Sequence, residues 1–108
     1  MVKVRRGDVW LVCLDPTVGR EIQKTRPGVI ISPPEIHDHL RTVIIAPMTT
    51  GSQPAPFRPD IEFQGKSGRI VLEQMRCLDR KRLIKRLGKI DRKTLQETLQ
   101  TLQDMFAP

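Results

Sequence analysis

Several polar side chains stand where apolar stretches of the sequence begin or end. Arg26 directly precedes one such stretch and Thr49 follows another, while Glu21 lies in a polar segment and Glu73 and Gln74 interrupt a later apolar run. A guanidinium binds anionic oxygens through paired N–H groups, a hydroxyl donates one more hydrogen bond, and a carboxylate can accept a proton. From spacing alone, however, turns, caps and surface ion pairs explain these residues better than a site does.

The sequence contains none of the strong signatures of catalysis or cofactor binding. It has no Gly-rich phosphate loop, no Cys-x-x-Cys pair and no nucleophile elbow. His37 and His39 flank Asp38, but such close neighbours rarely form a metal site without further ligands, so we predict an exposed loop there. Cys13 and Cys77 each adjoin a leucine and are predicted to be small core residues. We therefore expect no metal and no cofactor.

The elements that would position these residues are mostly predicted strands. Continuous apolar or β-branched runs occupy 9–14, 28–32 and 42–46, and shorter ones occupy 61–63 and 70–72. Turn residues separate these runs, and the Pro- and Ser-containing segment 51–59 is predicted to be an exposed loop. About five short strands separated by turns favour a small barrel or sandwich.

The end of the chain changes to a helical period. Asp91 is a plausible N-cap, and Leu95, Leu99, Leu102 and Phe106 follow at helical spacing. We predict one amphipathic helix of about four turns that packs on the strands or on a second subunit. Residues 78–88 fit two structures equally well: a helix, or a short turn followed by a final strand.

Positive charge is concentrated in one part of the 108-residue chain. Residues 76–93 contain nine basic and two acidic side chains, so this segment alone carries the whole formal net charge of +7. Such a segment favours a polyanionic partner, either a nucleic acid or an acidic peptide. With an aromatic content of only 4%, stacking platforms for single-stranded nucleic acid are not expected.

Three motifs together resemble the MazF/PemK/Kid toxin family. The first consists of Arg6-Gly7-Asp8-Val9-Trp10, then Asp15-Pro16-Thr17-x-Gly19-x-Glu21, then Thr25-Arg26-Pro27-Gly28-Val29-Ile30-Ile31-Ser32-Pro33. The second is Pro47-Met48-Thr49-Thr50. The third is Leu72-Glu73-Gln74-Met75-Arg76-Cys77-Leu78-Asp79-Arg80-Lys81-Arg82-Leu83. Their order and spacing hold over nearly the whole chain, which makes the resemblance more specific than any single motif. Residues 1–108 are accordingly expected to form a single toxin domain of this kind.

The resemblance implies a mainly β fold, of the α+β kind: a small SH3-like β-barrel with a C-terminal α-helix. It also implies a homodimer that cleaves single-stranded RNA at short sequences without a metal, and that is inhibited by a cognate acidic, MazE-like antitoxin. By motif position, Arg26, Thr49 and Glu21 correspond to catalytic residues. The resemblance assigns RNA binding to residues around the first and third motifs, namely Arg20, Lys24, Glu73, Gln74 and Arg76.

The sequence leaves two questions open, namely which residue accepts the proton and which function the barrel performs. The proton acceptor is unassigned between Glu21 and Glu73, because Kid-like members carry a histidine where this sequence has Arg20. The function also has alternatives, since a similar barrel occurs in CcdB-type toxins that poison DNA gyrase, and a basic barrel can bind RNA without cleaving it. No apolar run approaches the roughly 20 residues of a membrane span, and the N-terminus lacks a secretory signal, so a cytoplasmic protein without membrane contact is predicted.

Overall fold

The apolar runs of the sequence form antiparallel strands that curl into a half-barrel, as described for residues 3–108 in a computed structural model. The strands are β1 (Asp8–Cys13), β2 (Thr25–Ile30), β3 (Thr42–Thr49), β4 (Asp60–Phe63), β5 (Lys66–Ile70), β6 (Arg76–Asp79) and β7 (Leu83–Lys89), and the helices are α1 (Pro34–His37) and α2 (Arg92–Phe106). The mainly β fold with a C-terminal helix is confirmed.

The long strand β3 connects the two parts of the sheet. The strands lie in the order β4-β5-β3-β2-β1-β7, and β6 pairs with the first half of β3. The second half of β3 pairs with β5, through Met48 and Thr49. Pro47 does not end this strand, as the sequence suggested, but lies within it opposite Gly28 of β2. The paired ends of β2 and β3 therefore bring Arg26 and Thr49 to the same part of the sheet.

Core residues lie on both faces of the central strands. Val9 belongs to one apolar cluster, and its neighbour Trp10 belongs to another, because successive side chains of a strand point to opposite faces. Both residues are buried. The continuous apolar run of β1 therefore belongs to a strand that is covered on both sides.

Helix α2 packs on one of these two clusters through Leu95, Leu102 and Met105. Thr98 is also buried on this face, where its hydroxyl donates to the carbonyl of Thr94 at 2.8 Å. The predicted helix is confirmed, but its buried face is rotated slightly from the leucine stripe of the sequence. Phe106, predicted to lie on the apolar face, is 68% exposed.

The N-cap of α2 gives a stability prediction that depends on pH. The Asp91 carboxylate accepts a hydrogen bond from the Thr94 backbone N–H at 2.7 Å, and this bond lowers the pKa of Asp91 below its ordinary value. A lowered folded-state pKa stabilises the fold at neutral pH, and this stabilisation is lost as the pH falls through that pKa. We expect Asp91→Ala to lower the melting temperature at pH 7 by roughly 4 °C, with a smaller difference below about pH 4.

Thermal unfolding followed by circular dichroism at pH 7 and pH 3 measures this effect. The control is Asp91→Asn, which keeps an N-cap oxygen but cannot ionise, and should unfold close to the wild-type temperature at pH 7. An Asp91→Ala protein that melts with the wild type at pH 7 would contradict the assignment.

The structure decides between the two alternatives for residues 78–88 and corrects the predictions for His37 and Cys77. Residues 78–88 form the end of β6, a single 3-10 turn (Arg80–Arg82) and most of β7, so the helical alternative is wrong. His37 is not in an exposed loop: it lies in α1, is 1% exposed, and its Nδ1 lies 3.0 Å from the Ser32 hydroxyl. Cys77 is exposed and Cys13 only half-buried, so the prediction of core cysteines fails for Cys77.

His37 was misplaced because Ser32, five residues earlier, supplies a buried partner that the local pattern does not reveal. Burial of a polar ring is acceptable when it is hydrogen-bonded. Cys77 is exposed because strand residues alternate, and its neighbour Leu78 takes the buried direction in β6.

Candidate active site

The three side chains predicted to be catalytic line one open cleft of about 700 Å³. Its walls are the segment between β1 and β2, the paired ends of β2 and β3, the loop 51–59 and the β4–β5 hairpin. Glu21, Arg26, Thr49 and Gln74 are among its lining residues. The structure therefore brings together residues that are up to 53 positions apart in the sequence.

Arg26 is held at the cleft by the strand in which it lies. It pairs with Val12 of β1, and the following Pro27 restricts it to extended backbone conformations. Its Nε donates to the Gln23 carbonyl at a long 3.3 Å. Within residues 3–108, no protein partner is recorded for its two terminal nitrogens, so both are available to oxygens of an anionic ligand.

Thr49 ends β3 with a hydroxyl that lacks a partner. Its Oγ1 is buried and makes no hydrogen bond to any part of the chain that the structure describes. The Ser52 hydroxyl, also at the cleft, is in the same state. Leaving a buried polar group unsatisfied costs about 1–3 kcal/mol, so two such hydroxyls in one cleft are what a site for a polar ligand would show.

The position of Thr49 depends on a glycine in the neighbouring strand. Gly68 of β5 passes so close to the Thr49 carbonyl that a Cβ atom at position 68 would overlap the carbonyl oxygen. Only glycine allows this approach without moving the end of β3. Gly68 is therefore a supporting residue of the cleft that none of the three sequence motifs contains.

Glu21 contributes the carboxylate of the cleft. Its Oε1 accepts the backbone N–H of Val18 at 2.5 Å, which fixes the orientation of the group within its own loop. The second oxygen has no recorded partner within residues 3–108. Glu21 is exposed and can therefore reach a ligand that enters from solvent.

Glu73 and Gln74 occupy a single 3-10 turn, Leu72–Gln74, at the edge of the cleft. Glu73 is not among the lining residues, and its Oε2 accepts hydrogen bonds from Arg58. The Gln74 amide is engaged at both ends, since Oε1 accepts the Ile22 N–H at 2.6 Å and Nε2 donates to the Arg20 carbonyl at 3.4 Å.

The other predicted RNA-binding side chains lie outside the cleft lining. Arg20 and Lys24 are exposed in the segment between β1 and β2, next to the residues that line the cleft. Arg76 is half-buried, and its guanidinium donates to the Leu14 carbonyl at 2.8 Å. In this structure, Arg76 thus supports the start of the segment that contains Glu21.

Much of the basic segment performs a similar structural task. Guanidinium groups of Arg80 and Arg82 donate to carbonyls of His37 and of Cys13 and Asp15. Arg86 pairs with the buried carboxylate of Asp8 at 3.2 Å. The concentration of charge in residues 76–93 therefore partly reflects arginines that satisfy loop carbonyls and a buried acid.

The cleft itself is nevertheless positive. Three cationic side chains line it, Arg26, Arg58 and Lys66, against the single carboxylate of Glu21. Sequence reasoning missed Arg58 and Lys66 because neither stands at the end of an apolar run or in one of the three motifs. Among residues 3–108, no group of three or more histidine, cysteine, aspartate or glutamate side chains is placed to hold a metal ion.

A curled antiparallel sheet with one C-terminal helix and a cationic cleft defines this chain as a small β-barrel-like domain with a polar, anion-attracting site. A family model described as the PemK-like, MazF-like toxin of type II toxin–antitoxin systems matches residues 5–106. Because this match covers nearly all of the sequence, the chain belongs to that family. The resemblance inferred from the three motifs is confirmed.

Individual relatives agree with the family match. The chain is 34% identical to the endoribonuclease PemK of Escherichia coli, over 95% of this chain and 82% of that protein. It is 39% identical to the endoribonuclease MazF of Staphylococcus epidermidis, over 78% of this chain and 75% of that protein. These relatives support neither the gyrase-poisoning nor the non-catalytic alternative.

The fold is also similar to solved structures. MazF of Deinococcus radiodurans superimposes with a TM-score of 0.80 at 25% identity, covering 97% of this chain and 96% of that one. A second structure, of MazE–MazF from the same organism, gives 0.71 at 25% identity, with 94% of each chain covered.

Proposed function

We propose that this chain is the toxin of a type II toxin–antitoxin system and acts as an endoribonuclease on single-stranded RNA. The observation that carries the proposal is the meeting of Arg26, Thr49 and Glu21 in one cationic cleft of a chain that belongs to the PemK-like, MazF-like family. Relatives that cover most of the sequence are endoribonucleases, which supports the same reaction here.

The proposed reaction uses the RNA's own 2′-hydroxyl as the nucleophile. The 2′-oxygen attacks the adjacent phosphorus while its proton passes to a carboxylate, and the bond from phosphorus to the 5′-oxygen breaks. The products are a 2′,3′-cyclic phosphate and a 5′-hydroxyl, whose proton comes from water. No step requires a metal ion, because protein groups supply the proton acceptor and the positive charge.

Arg26 and Thr49 are proposed to stabilise the pentavalent phosphorane. The two terminal nitrogens of Arg26, which have no partner within residues 3–108, can bond two phosphate oxygens at once, which a point charge cannot do. The unpartnered Thr49 hydroxyl supplies a further donor from the adjoining strand. Both groups are held by β-strands, so they are oriented before the substrate binds.

Glu21 is proposed to accept the proton. It lines the cleft and retains one oxygen without a recorded partner in the described chain, whereas Glu73 lies outside the lining and is paired with Arg58. These contacts support Glu21 over Glu73 as the proposed base.

The choice of base makes a measurable prediction. Glu21→Gln should lower the single-turnover rate of RNA cleavage by about 100-fold or more, because general base catalysis typically contributes that much. Rates measured from pH 5 to 8 at saturating protein, with Glu73→Gln in parallel, test this. A normal Glu21→Gln rate across that range contradicts the assignment.

The proposal also covers partners and location. The proposed antitoxin partner is supported by the toxin–antitoxin description of the family and by the MazE–MazF structure. The proposed assembly is a homodimer, and the half-exposed apolar residues Leu40 and Ile84, which line one cavity, are candidates for its interface. We propose a cytoplasmic location. No helix within residues 3–108 is long and apolar enough to cross a membrane.

The decisive experiment is cleavage of a long single-stranded RNA by the purified chain in excess EDTA. We expect discrete fragments that carry 5′-hydroxyl ends, and sequencing those ends gives the recognition sequence. RNA that stays intact under these conditions, and also after Mg²⁺ is added, would sink the nuclease proposal. Cleavage only with Mg²⁺ would overturn the metal-independent mechanism alone.

A further inference from the structure

The two loops that border the cleft are both fastened to the same 3-10 turn, Leu72–Gln74. Gln74 holds the segment between β1 and β2 through its bonds to Ile22 and Arg20. Glu73 holds the loop 51–59 through Arg58. This turn therefore connects two segments that are separated in the sequence by the whole of β2, α1 and β3.

Arg58 is the residue through which the loop 51–59 is attached. Its Nε donates to Glu73 Oε2 at 2.9 Å, and its Nη2 donates to the same oxygen. Its Nη1 donates to the Gln53 carbonyl at 2.9 Å within the loop. The hydrogen bond to Glu73 raises the pKa of Arg58. The guanidinium thus links Glu73 of the 3-10 turn to Gln53 near the start of the loop and to Arg58 itself near its end.

This loop has few other means of holding one conformation. Three of its nine residues are prolines, Pro54, Pro56 and Pro59, which lack a backbone N–H. Besides the contacts of Arg58, the described residues give this loop one other side-chain bond, from Arg69 to the Ser52 carbonyl at 2.8 Å. At its end, the Pro59 carbonyl accepts the backbone N–H of Ile70 at 2.9 Å. Because Ser52 and Arg58 line the cleft together with Thr49, the conformation of this loop shapes the space beside the proposed catalytic groups.

We propose that Arg58 is a positioning residue that determines RNA sequence preference by fixing the loop 51–59 to Glu73. Its partner Glu73 is then a structural acceptor, and removing either partner has the same effect on the loop. The attachment of the loop stands on the contacts alone, and only its effect on sequence preference rests on the proposed endoribonuclease function.

The alternative for Arg58 is direct contact with an RNA phosphate. The two roles predict different effects of Glu73→Gln on the loop and on RNA binding. If Arg58 positions the loop, losing the Glu73 carboxylate loosens the loop and resembles a change at Arg58 itself. If Arg58 binds phosphate, Glu73→Gln frees the guanidinium and tightens RNA binding, whereas removing Arg58 weakens it.

The first test is independent of any RNA activity. Chymotrypsin cuts after exposed aromatic residues, and Phe57 lies in the loop with 36% of its surface exposed. We expect Glu73→Gln to speed cleavage after Phe57 about fivefold, since the population of the open loop rises when the charged hydrogen bonds that hold it closed are lost. Glu62→Gln, which removes an exposed glutamate with no recorded partner in residues 3–108, is the matched control and should be cut at the wild-type rate.

An exchange of the charges at positions 58 and 73 provides the second test. Glu73→Arg should be cut after Phe57 faster than the wild type. The double variant Glu73→Arg/Arg58→Glu should be cut more slowly than Arg58→Glu alone, which has the same residue after the cut bond. Fluorescence of Trp10, which is buried in a core cluster, reports whether each variant is folded. A Glu73→Gln loop that is cut no faster than the Glu62→Gln control overturns the proposal, as does a folded double variant that is cut as fast as Arg58→Glu alone.

The third test measures the RNA sequence preference directly. Sequencing the 5′ ends of cleaved RNA should show the same redistribution of cut sites for Arg58→Lys and Glu73→Gln, with the rate at the best site reduced less than about tenfold. If Arg58→Lys weakens RNA binding while Glu73→Gln tightens it, Arg58 contacts an RNA phosphate and the positioning role is wrong. If the wild type leaves RNA intact while Glu73→Gln still exposes Phe57, the endoribonuclease function fails and the loop attachment survives.

Discussion

Replacing Arg26 with lysine should lower the single-turnover rate of RNA cleavage by at least about 100-fold. Lysine keeps the positive charge but offers a single ammonium group in place of the planar fork that can bond two phosphate oxygens. Because the fork is needed most when charge develops on the phosphorane, the rate constant should fall much more than the affinity for RNA. Arg26 is exposed, so the fold should tolerate the change.

Single-turnover measurements at saturating protein, together with RNA binding by anisotropy, separate these quantities. The matched control is Arg5→Lys, the same substitution at an exposed arginine that lines neither the cleft nor the cavity of Leu40 and Ile84. It should cleave at the wild-type rate. An Arg26→Lys variant within tenfold of the wild-type rate would show that Arg26 contributes charge alone.

Replacing Thr49 with valine should reduce the cleavage rate by about 100- to 1,000-fold, the typical cost of losing one oriented donor to a transition state. Valine has nearly the shape of threonine, so the change removes the hydroxyl with little disturbance of β3. Because the Oγ1 atom has no partner in the described chain, its removal breaks no internal hydrogen bond. The variant should therefore be as stable as the wild type, or slightly more stable.

Thr49→Ser is the companion variant, since it keeps the hydroxyl and loses a methyl group. It should retain most of the activity, within about tenfold, and the comparison isolates the hydroxyl from packing. Cleavage rates and melting temperatures of both variants are needed. Equal rates for Thr49→Val and the wild type would remove Thr49 from the proposed mechanism.

The sequence predicts the regular elements of this fold because they follow a local pattern. The run from Val9 to Leu14 identifies a strand buried on both faces, and Asp91 identifies the start of α2, since burial and capping each leave a signal within a few residues. The segment 78–88 remained ambiguous because Leu83 and Leu87 fit a helical period, and only pairing of β7 with β1 decides for a strand.

Only part of the candidate site could be predicted from the sequence, because contacts between distant residues leave no local pattern. Arg26, Thr49 and Glu21 could be selected because they stand in recognisable motifs, although only the folded sheet brings them to one cleft. Arg58 could not be selected, because its role depends on Glu73, which is 15 residues away in the sequence. Nothing in the sequence around Gly68 indicates that β5 passes against the carbonyl of Thr49.

The tight passage of Gly68 has a consequence for how related genes are interpreted. A copy of this gene that encodes any other residue at position 68 keeps every motif of the family, yet its β5 strand cannot pass the end of β3 as it does here. Such a copy would still match the family by its motifs, although the end of β3 that carries Thr49 could not keep the position it has here. Position 68 therefore belongs beside the three motifs when degenerate copies are distinguished from functional ones.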